Sequence, residues 1–216
     1  LFGVLALSWD IVGGQTGYPS FGNMAFFGIG AYVTAILVTD AALAFPLAIV
    51  GAAVVVVVFA LINGLIVLRL RGHYFAIATL GILLATQQVS RNLAITGGAS
   101  GKILLDVPPG IVFYYFFLGV LVAEIAVVYY LSQTRFGFVL NAIRDDEEKA
   151  TAMGFNTTYY KTAAWVLAAL FTGLAGGAYG LFNTFINPQT AYNGAWNVEL
   201  IAMALMGGTG TVAGPV

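Results

Sequence analysis

From Phe45 to Leu68 the chain runs without a single charged side chain, and it does so again from Val107 to Ala123. A helix of about 20 apolar residues matches the roughly 30 Å hydrocarbon core of a bilayer, and only a helix satisfies its own backbone there within one segment. The rest of the composition agrees. Sixty per cent of the 216 residues are hydrophobic and 8% are charged, whereas a soluble domain carries about a quarter charged residues. The expected fold is all-α, a polytopic transmembrane helical bundle.

Several function classes fall away early. The net charge of −1 supplies no basic field for nucleic acid. The chain has no cysteine and one histidine, His73, so thiolate chemistry is excluded and no metal cluster is expected. No Gly-x-x-x-x-Gly-Lys-[Ser/Thr] loop occurs, so the chain has no P-loop of its own. Facing Ser–His pairs, paired membrane aspartates and His-Glu-x-x-His are also missing from the sequence, and no catalytic residue is expected.

Reading along the chain, Leu1–Val12 is the tail of an apolar helix, and the chain as a whole reads as a stretch of a longer protein. The helix is expected to break over Gly13–Gly22. A second helix follows at Asn23–Thr39, with Ala25, Gly28, Gly30 and Ala31 on close-packing faces. A third starts at Pro46, a favoured first-turn proline, and runs to Leu68. Tyr74–Val89 is the fourth. Past a loop to Gly110, an aromatic-ended helix spans Phe113–Tyr130, with its two aromatic clusters about 27 Å apart, the separation of interfacial belts. A glycine-rich span, Thr162–Ile186, carries Gly173, Gly176, Gly177 and Gly180, a small-residue series suited to close helix packing. The last segment runs from Val198 into a terminal glycine run.

Basic residues in short loops set orientation. Arg69, Arg71 and His73 mark one loop, and Arg135, Arg144, Lys149 and Lys161 another. Two spans separate them, so both fall on one side, expected to be cytoplasmic. The loops around Asp40, Gly97–Gly110 and Asn187–Trp196 then face outward.

One polar island interrupts the apolar pattern, residues 144–161. It holds Arg144, Asp145, Asp146, Glu147, Glu148, Lys149 and Lys161, in a chain with eight basic and nine acidic side chains in all. Asp145 fits an N-cap with Glu148 three residues on, and acidic residues in the first turn suit the helix dipole. Gly154 fits a C′ cap and Asn156 a cap for the next helix. A helix of about eight or nine residues, roughly 12–13 Å long, is expected. Two readings are open: a solvated helix that joins two spans, or a docking element.

Asp146-Glu-Glu-Lys-Ala-Thr-Ala-Met-Gly154 resembles the cytoplasmic EAA…G loop of binding-protein-dependent ABC importer permeases, with Glu-Glu-Lys-Ala where the usual Glu-Ala-Ala would sit. Gly17–Tyr32, Arg71–Gly81, Thr96–Gly101 with Pro108-Pro109, and Met206–Pro215 are similar, in type and order, to the branched-chain amino acid permease family. More specifically, they resemble the LivM-like half of the LivH/LivM pair. The resemblance covers nearly the whole chain. It implies a single transmembrane permease domain over 1–216 in the prokaryotic cytoplasmic (inner) membrane, with 144–161 as a coupling loop. It further implies a LivH-like permease partner in a heterodimer, two ATP-binding subunits, an extracytoplasmic substrate-binding protein and a small-molecule substrate. ATP and Mg would be used by the partner ATPase, with no cofactor bound by this chain. Branched-chain amino acids are the implied substrates, with urea or short amides as alternatives. The implied coupling residues are Asp146, Glu147, Glu148, Ala150, Met153 and Gly154.

Discontinuous helices near mid-membrane can present backbone and polar side chains to a substrate. Two segments have that character, Gly13–Gly22 and Gly207–Pro215. A surface turn is the alternative for the first. Gln15, Thr16, Tyr18, Ser20 and Asn23 are the candidate pathway residues. Glu124, a carboxylate within an apolar helix, is read either as a pathway residue or as a structural one paired with a partner such as a tyrosine hydroxyl or a basic side chain. An ion-coupled carrier would need titratable groups in a connected set, and the sequence offers only isolated acids.

Overall fold

A computed structural model describes residues 1–104, 107–211 and 214 of the chain, so the glycine run expected to break at Gly207–Pro215 lies partly outside the described residues. Among the described residues the structure is helical apart from one two-residue strand pair. The helices are α1 (Phe2–Thr16), α2 (Asn23–Thr39), α3 (Phe45–Val67), α4 (His73–Asn92), α5 (Gly110–Ser132), α6 (Arg135–Asp145), α7 (Glu147–Ala152), α8 (Thr157–Phe182), α9 (Pro188–Ala191) and α10 (Gly194–Gly207). Strands β1 (Lys102–Ile103) and β2 (Phe185–Ile186) pair antiparallel. Three helices, α3, α5 and α8, are long and apolar enough to cross a membrane.

Glycine places α8 at the centre. A Cβ at Gly176 would lie 2.1 Å from the Phe27 carbonyl oxygen, and one at Gly30 would lie 2.2 Å from that of Gly173. The backbones of α2 and α8 therefore touch, as small residues permit. The contacts Gly30–Gly173 and Thr34–Gly177 advance by four residues on both helices, as do Phe27–Gly176 and Ala31–Gly180. The two helices therefore run parallel. Around this seam pack Phe26 and Trp165, edge to face at 5.1 Å, and Phe75 against Trp165 at 5.7 Å. Such pairs add about 0.5–1.5 kcal/mol beyond the area they bury. The outer faces of α3 and α5 leave Leu47, Val54, Ile62, Ile66, Ile111 and Val122 exposed, the pattern of a surface solvated by lipid.

The two ends of the bundle differ. At one end Arg71 meets Glu148 and Lys161 meets the Leu68 carbonyl, so the two basic loops do lie together. At the other end Lys102 pairs with Asp40 at 2.6 Å, and Leu104 N–H donates to the Thr184 carbonyl.

Several helix boundaries differ from expectation for physical reasons: the span expected over Thr162–Ile186 runs Thr157–Phe182, because Asn156 caps its start and Phe185–Ile186 pair with β1 past its end. Helix α1 continues through Gly13 to Thr16, and the break is confined to 17–22. Gly13 is packed under the Trp9 indole, and Gly14 lies against the Asp10 carboxylate and the Gly210 amide. Those two glycines serve close approach, and the turn itself falls on Gly17, at φ +73°. Helix α6 was not anticipated as an element. Thr134 accepts the Phe136 amide as its cap, and Gly137, Val139, Leu140 and Ile143 form its buried face.

Candidate functional site

Helix α6 runs unbroken to Asp145, and this displaces the expected cap. Asp146, in extended backbone, is the N-cap of α7: its Oδ1 accepts the Glu148 and Lys149 amides at 3.0 and 3.1 Å. Asp145 therefore ends one helix and does not start the next, and no capping box forms with Glu148. Helix α7 is six residues long, about 9 Å, shorter than expected. These amide hydrogen bonds hold the Asp146 carboxyl below the usual carboxylate range, with the Lys149 ammonium 3.1 Å away adding to the effect. The C-terminal end closes as anticipated. Gly154 N–H donates to Thr151 O and Phe155 N–H to Ala150 O, a Schellman pair that uses the left-handed φ of +86° at Gly154. Asn156 caps α8 by accepting the Tyr159 amide.

The six implied coupling residues divide between two faces. Glu148, Met153 and Gly154 are exposed and Asp146 is half-buried, while Ala150 packs inward, 1% exposed. Glu147 also points inward. Its Oε1 accepts a hydrogen bond from Lys161 Nζ at 2.6 Å and its Oε2 one from the Tyr18 hydroxyl, while Arg71 Nε lies 3.6 Å away. Burial alone would push the Glu147 carboxyl up. The hydrogen bonds from Lys161 and Tyr18, with the nearby Lys161 and Arg71 charges, outweigh that and leave it below its ordinary value.

Lys161 is 4% exposed and wholly satisfied. An ammonium has three donors, and here they reach Glu147, the Tyr18 hydroxyl at 3.1 Å and the Leu68 carbonyl at 3.0 Å. That last carbonyl belongs to the C-terminal end of α3, where helix carbonyls lack partners and cations are favoured. One ammonium thus ties α3, α8, α7 and the break together. A second tie lies alongside: Arg144 Nη1 donates to the Gly14 carbonyl at 3.2 Å, and Asp10 accepts the Gly210 amide at 2.9 Å. The described part of the terminal glycine run therefore meets the end of α1.

The candidate pathway residues are buried: Gln15 at 7% exposed, Thr16 at 2%, Tyr18 at 7%, Ser20 at 0% and Asn23 at 1%. The segment that carries them starts beside the charged end and rises into the bundle. Tyr18 packs on Phe75 near the start of α4, whereas Phe21 N–H donates to Thr79 Oγ1, four residues or about 6 Å further along that helix. Gly17–Gly22 is thus both a turn at the surface and an extended climb beneath it. Trp9 Nε1 donates to the Ser20 carbonyl at 2.7 Å and Asn197 Nδ2 to that of Phe21 at 2.9 Å, so the irregular backbone is paired, as burial demands. Gln15 and Thr16 lie in α1 itself, and the Thr16 hydroxyl donates back to the Val12 carbonyl.

Glu124 stands apart from this group. It is 0% exposed on α5, and its Oε1 accepts the Ser8 hydroxyl of α1 at 2.6 Å. Its partner is thus a serine hydroxyl. Elsewhere, a cavity of about 570 Å³ opens between α2, α3 and α4, lined by Tyr32, Asn63, Thr86, Ser90 and Tyr192 among apolar residues. Among the described residues, no three His, Asp or Glu side chains gather as metal ligands.

Sequence reasoning missed Lys161, Arg71, Arg144 and Asp10 as site residues. A lone lysine just inside an apolar span was the available signal for Lys161. The cavity's polar groups come from α2, α3, α4 and the residue after α9, so no local pattern marks it.

Three helices able to cross a membrane, with a charged, doubly capped helix at one end of their bundle, mark a multi-pass membrane protein, and its family match places it in the transport-permease class. The chain belongs to the branched-chain amino acid transport system / permease component family, whose model matches residues 1–216. It is 27% identical to the high-affinity branched-chain amino acid transport system permease protein LivM of Salmonella typhimurium, over 96% of this chain and 56% of that protein. It is 26% identical to the Escherichia coli LivM over the same shares. A probable branched-chain amino acid transport permease protein LivM of Methanocaldococcus jannaschii is 24% identical, over 99% of this chain and 74% of that one. The chain thus spans about half the length of the first two relatives. No solved structure matches it.

Proposed function

We propose that this chain is a membrane-spanning permease subunit of a binding-protein-dependent, ATP-driven importer of branched-chain amino acids in the prokaryotic cytoplasmic membrane. The observation that carries the reading is α7. It is a short helix closed at both ends by its own capping groups, with one face anchored in the bundle and the other, Glu148, Lys149, Thr151 and Met153, presented outward. A solvated connector has no need of so defined a shape. The outward face would seat on an ATP-binding subunit, which would use ATP and Mg. A LivH-like permease would complete the membrane part, and an extracytoplasmic binding protein would deliver the ligand at the Asp40–Lys102 end. The names of the relatives support branched-chain amino acids as the substrate class.

The test is uptake of labelled L-leucine by the full-length chain, assembled with its partner subunits in proteoliposomes. ATP-dependent uptake is expected, with loss in Gly154→Arg. A Cβ at Gly154 meets nothing within 4 Å and the φ is left-handed, so the arginine both strains the cap and projects from the outward face. Uptake driven by an ion gradient without ATP would refute the reading. ATP-dependent uptake of urea but not of leucine would keep the mechanism and replace the substrate.

A further inference from the structure

Only two side chains of α7 enter the bundle. Ala150 is apolar and short, so its contact can slide. Glu147 is the other, and its two oxygens are held by separate elements: Oε1 by Lys161 at the start of α8, and Oε2 by Tyr18 of the extended segment before α2. Tyr18 is in turn gripped from a second direction, because Lys161 donates to its hydroxyl and lies 4.6 Å from its ring centroid. The three groups form a closed ring of hydrogen bonds. Such bonds are lost beyond about 3.5 Å, so a displacement of α7 by more than about 1 Å must either carry Tyr18 with it or break the ring.

What Tyr18 would move is the irregular part of the fold. Residues 17–21 lie between the two helices, and beyond the segment's own Ser20, which accepts the Gly22 amide, their backbone is held by three side chains, Trp9, Thr79 and Asn197, from three different helices. Segments of this kind have two arrangements available more readily than a packed helix does. The ion pair alone does not require this geometry. A lysine and a glutamate could neutralise each other without a tyrosine, whereas here the hydroxyl both donates to the carboxylate and accepts from the ammonium.

We propose that Glu147, Lys161 and Tyr18 are the positioning residues that transmit movement of α7 to the 17–22 segment, so that ATP hydrolysis in a partner subunit is converted into a change of the transport path. This rests on the importer reading above. The ring acts through the segment and need not touch substrate.

The experiment measures L-leucine imported per ATP hydrolysed in proteoliposomes that contain the complete transporter. Two variants are compared with wild type. Tyr18→Phe keeps the ring packed on Phe75 and removes only the hydroxyl. Glu147→Gln/Lys161→Met removes both charges together and so leaves no unpaired buried ion, the usual cause of collapse when one partner is deleted. Coupling between sites is typically worth 5–150-fold, so the ratio is expected to fall at least about fivefold in each variant, with ATP turnover retained. A merely structural ring would lower the amount of active complex, reduce uptake and hydrolysis in parallel, and leave the ratio unchanged. An unchanged ratio in both variants therefore overturns the proposal while the ATP-driven reading stands. Leucine uptake by wild type that ignores ATP would remove the importer reading, and this one with it.

Discussion

Gly176 of α8 faces the backbone of α2, and replacing it by alanine tests whether that seam holds the bundle. The added Cβ would sit 2.1 Å from the Phe27 carbonyl oxygen and 2.7 Å from its carbon. Ordinary contact begins near 3.4 Å, so the helices must part by about 1.3 Å. Neither neighbour can rotate away, because both atoms are backbone. A gap of 0.5–1 Å already forfeits roughly a quarter to a half of each dispersion contact, and overpacking of a tight core costs about 1–3 kcal/mol. We expect the upper end, about 3 kcal/mol, which corresponds to a fall in melting temperature of roughly 6–12 °C for a chain of this size. Gly81→Ala is the matched control. Its Cβ meets nothing within 4 Å on the exposed face of α4, so it should gain about 0.5–1 kcal/mol from reduced backbone freedom. Circular dichroism at a helical wavelength, followed through heating in detergent, reads both. If Gly176→Ala melts within a degree or two of Gly81→Ala, the seam is not where the stability resides.

Other expectations follow from single contacts. Trp165 Nε1 donates to Asn63 Oδ1 at 3.0 Å in the core, so Asn63→Leu strands that N–H at a cost of about 1–3 kcal/mol and should shift tryptophan emission. Asp146→Ala removes the acceptor of two α7 amides, worth about 1 kcal/mol, and should speed hydrogen exchange at Lys149 while Asp146→Asn does not. Glu147 has a folded pKa below its ordinary 4.5, so its contribution is present above that pH and is lost as pH falls through the folded value. Melting of wild type and Glu147→Gln should therefore differ at neutral pH, draw together as pH falls below 4.5 and converge once it passes below the folded value, and a gap that persists in strong acid would contradict the assignment.

Much of this was legible in the residue order, and the limits have physical causes. Helices α3, α5 and α8 announce themselves because lipid accepts only long apolar helices, and α2 and α4 by their helical patterns of small and apolar residues. Gly154 and Asn156 were readable as caps, since capping depends on neighbours within a turn. The error at Asp145 has the same origin: two adjacent aspartates offer the same local chemistry, and the choice fell to Asp146 only because α6 continues one residue further. Gly13 and Gly14 misled because a glycine that permits close approach looks the same in sequence as one that turns the chain. Only the packed structure brings the Gly210 amide against Gly14 and shows the Trp9 indole, one turn back in α1, lying over Gly13.

The sequence by itself therefore determined the class of solvent, the helices that satisfy it, and the exposed charged island between α5 and α8, because each depends on composition or on contacts a few residues apart. The tertiary structure decided what the island grips. Lys161 and Tyr18 are separated by 143 positions, and Arg144 and Gly14 by 130. They meet because glycine lets α2 and α8 touch and brings the end of α3 alongside. No local pattern encodes that convergence, since it follows from how whole helices pack.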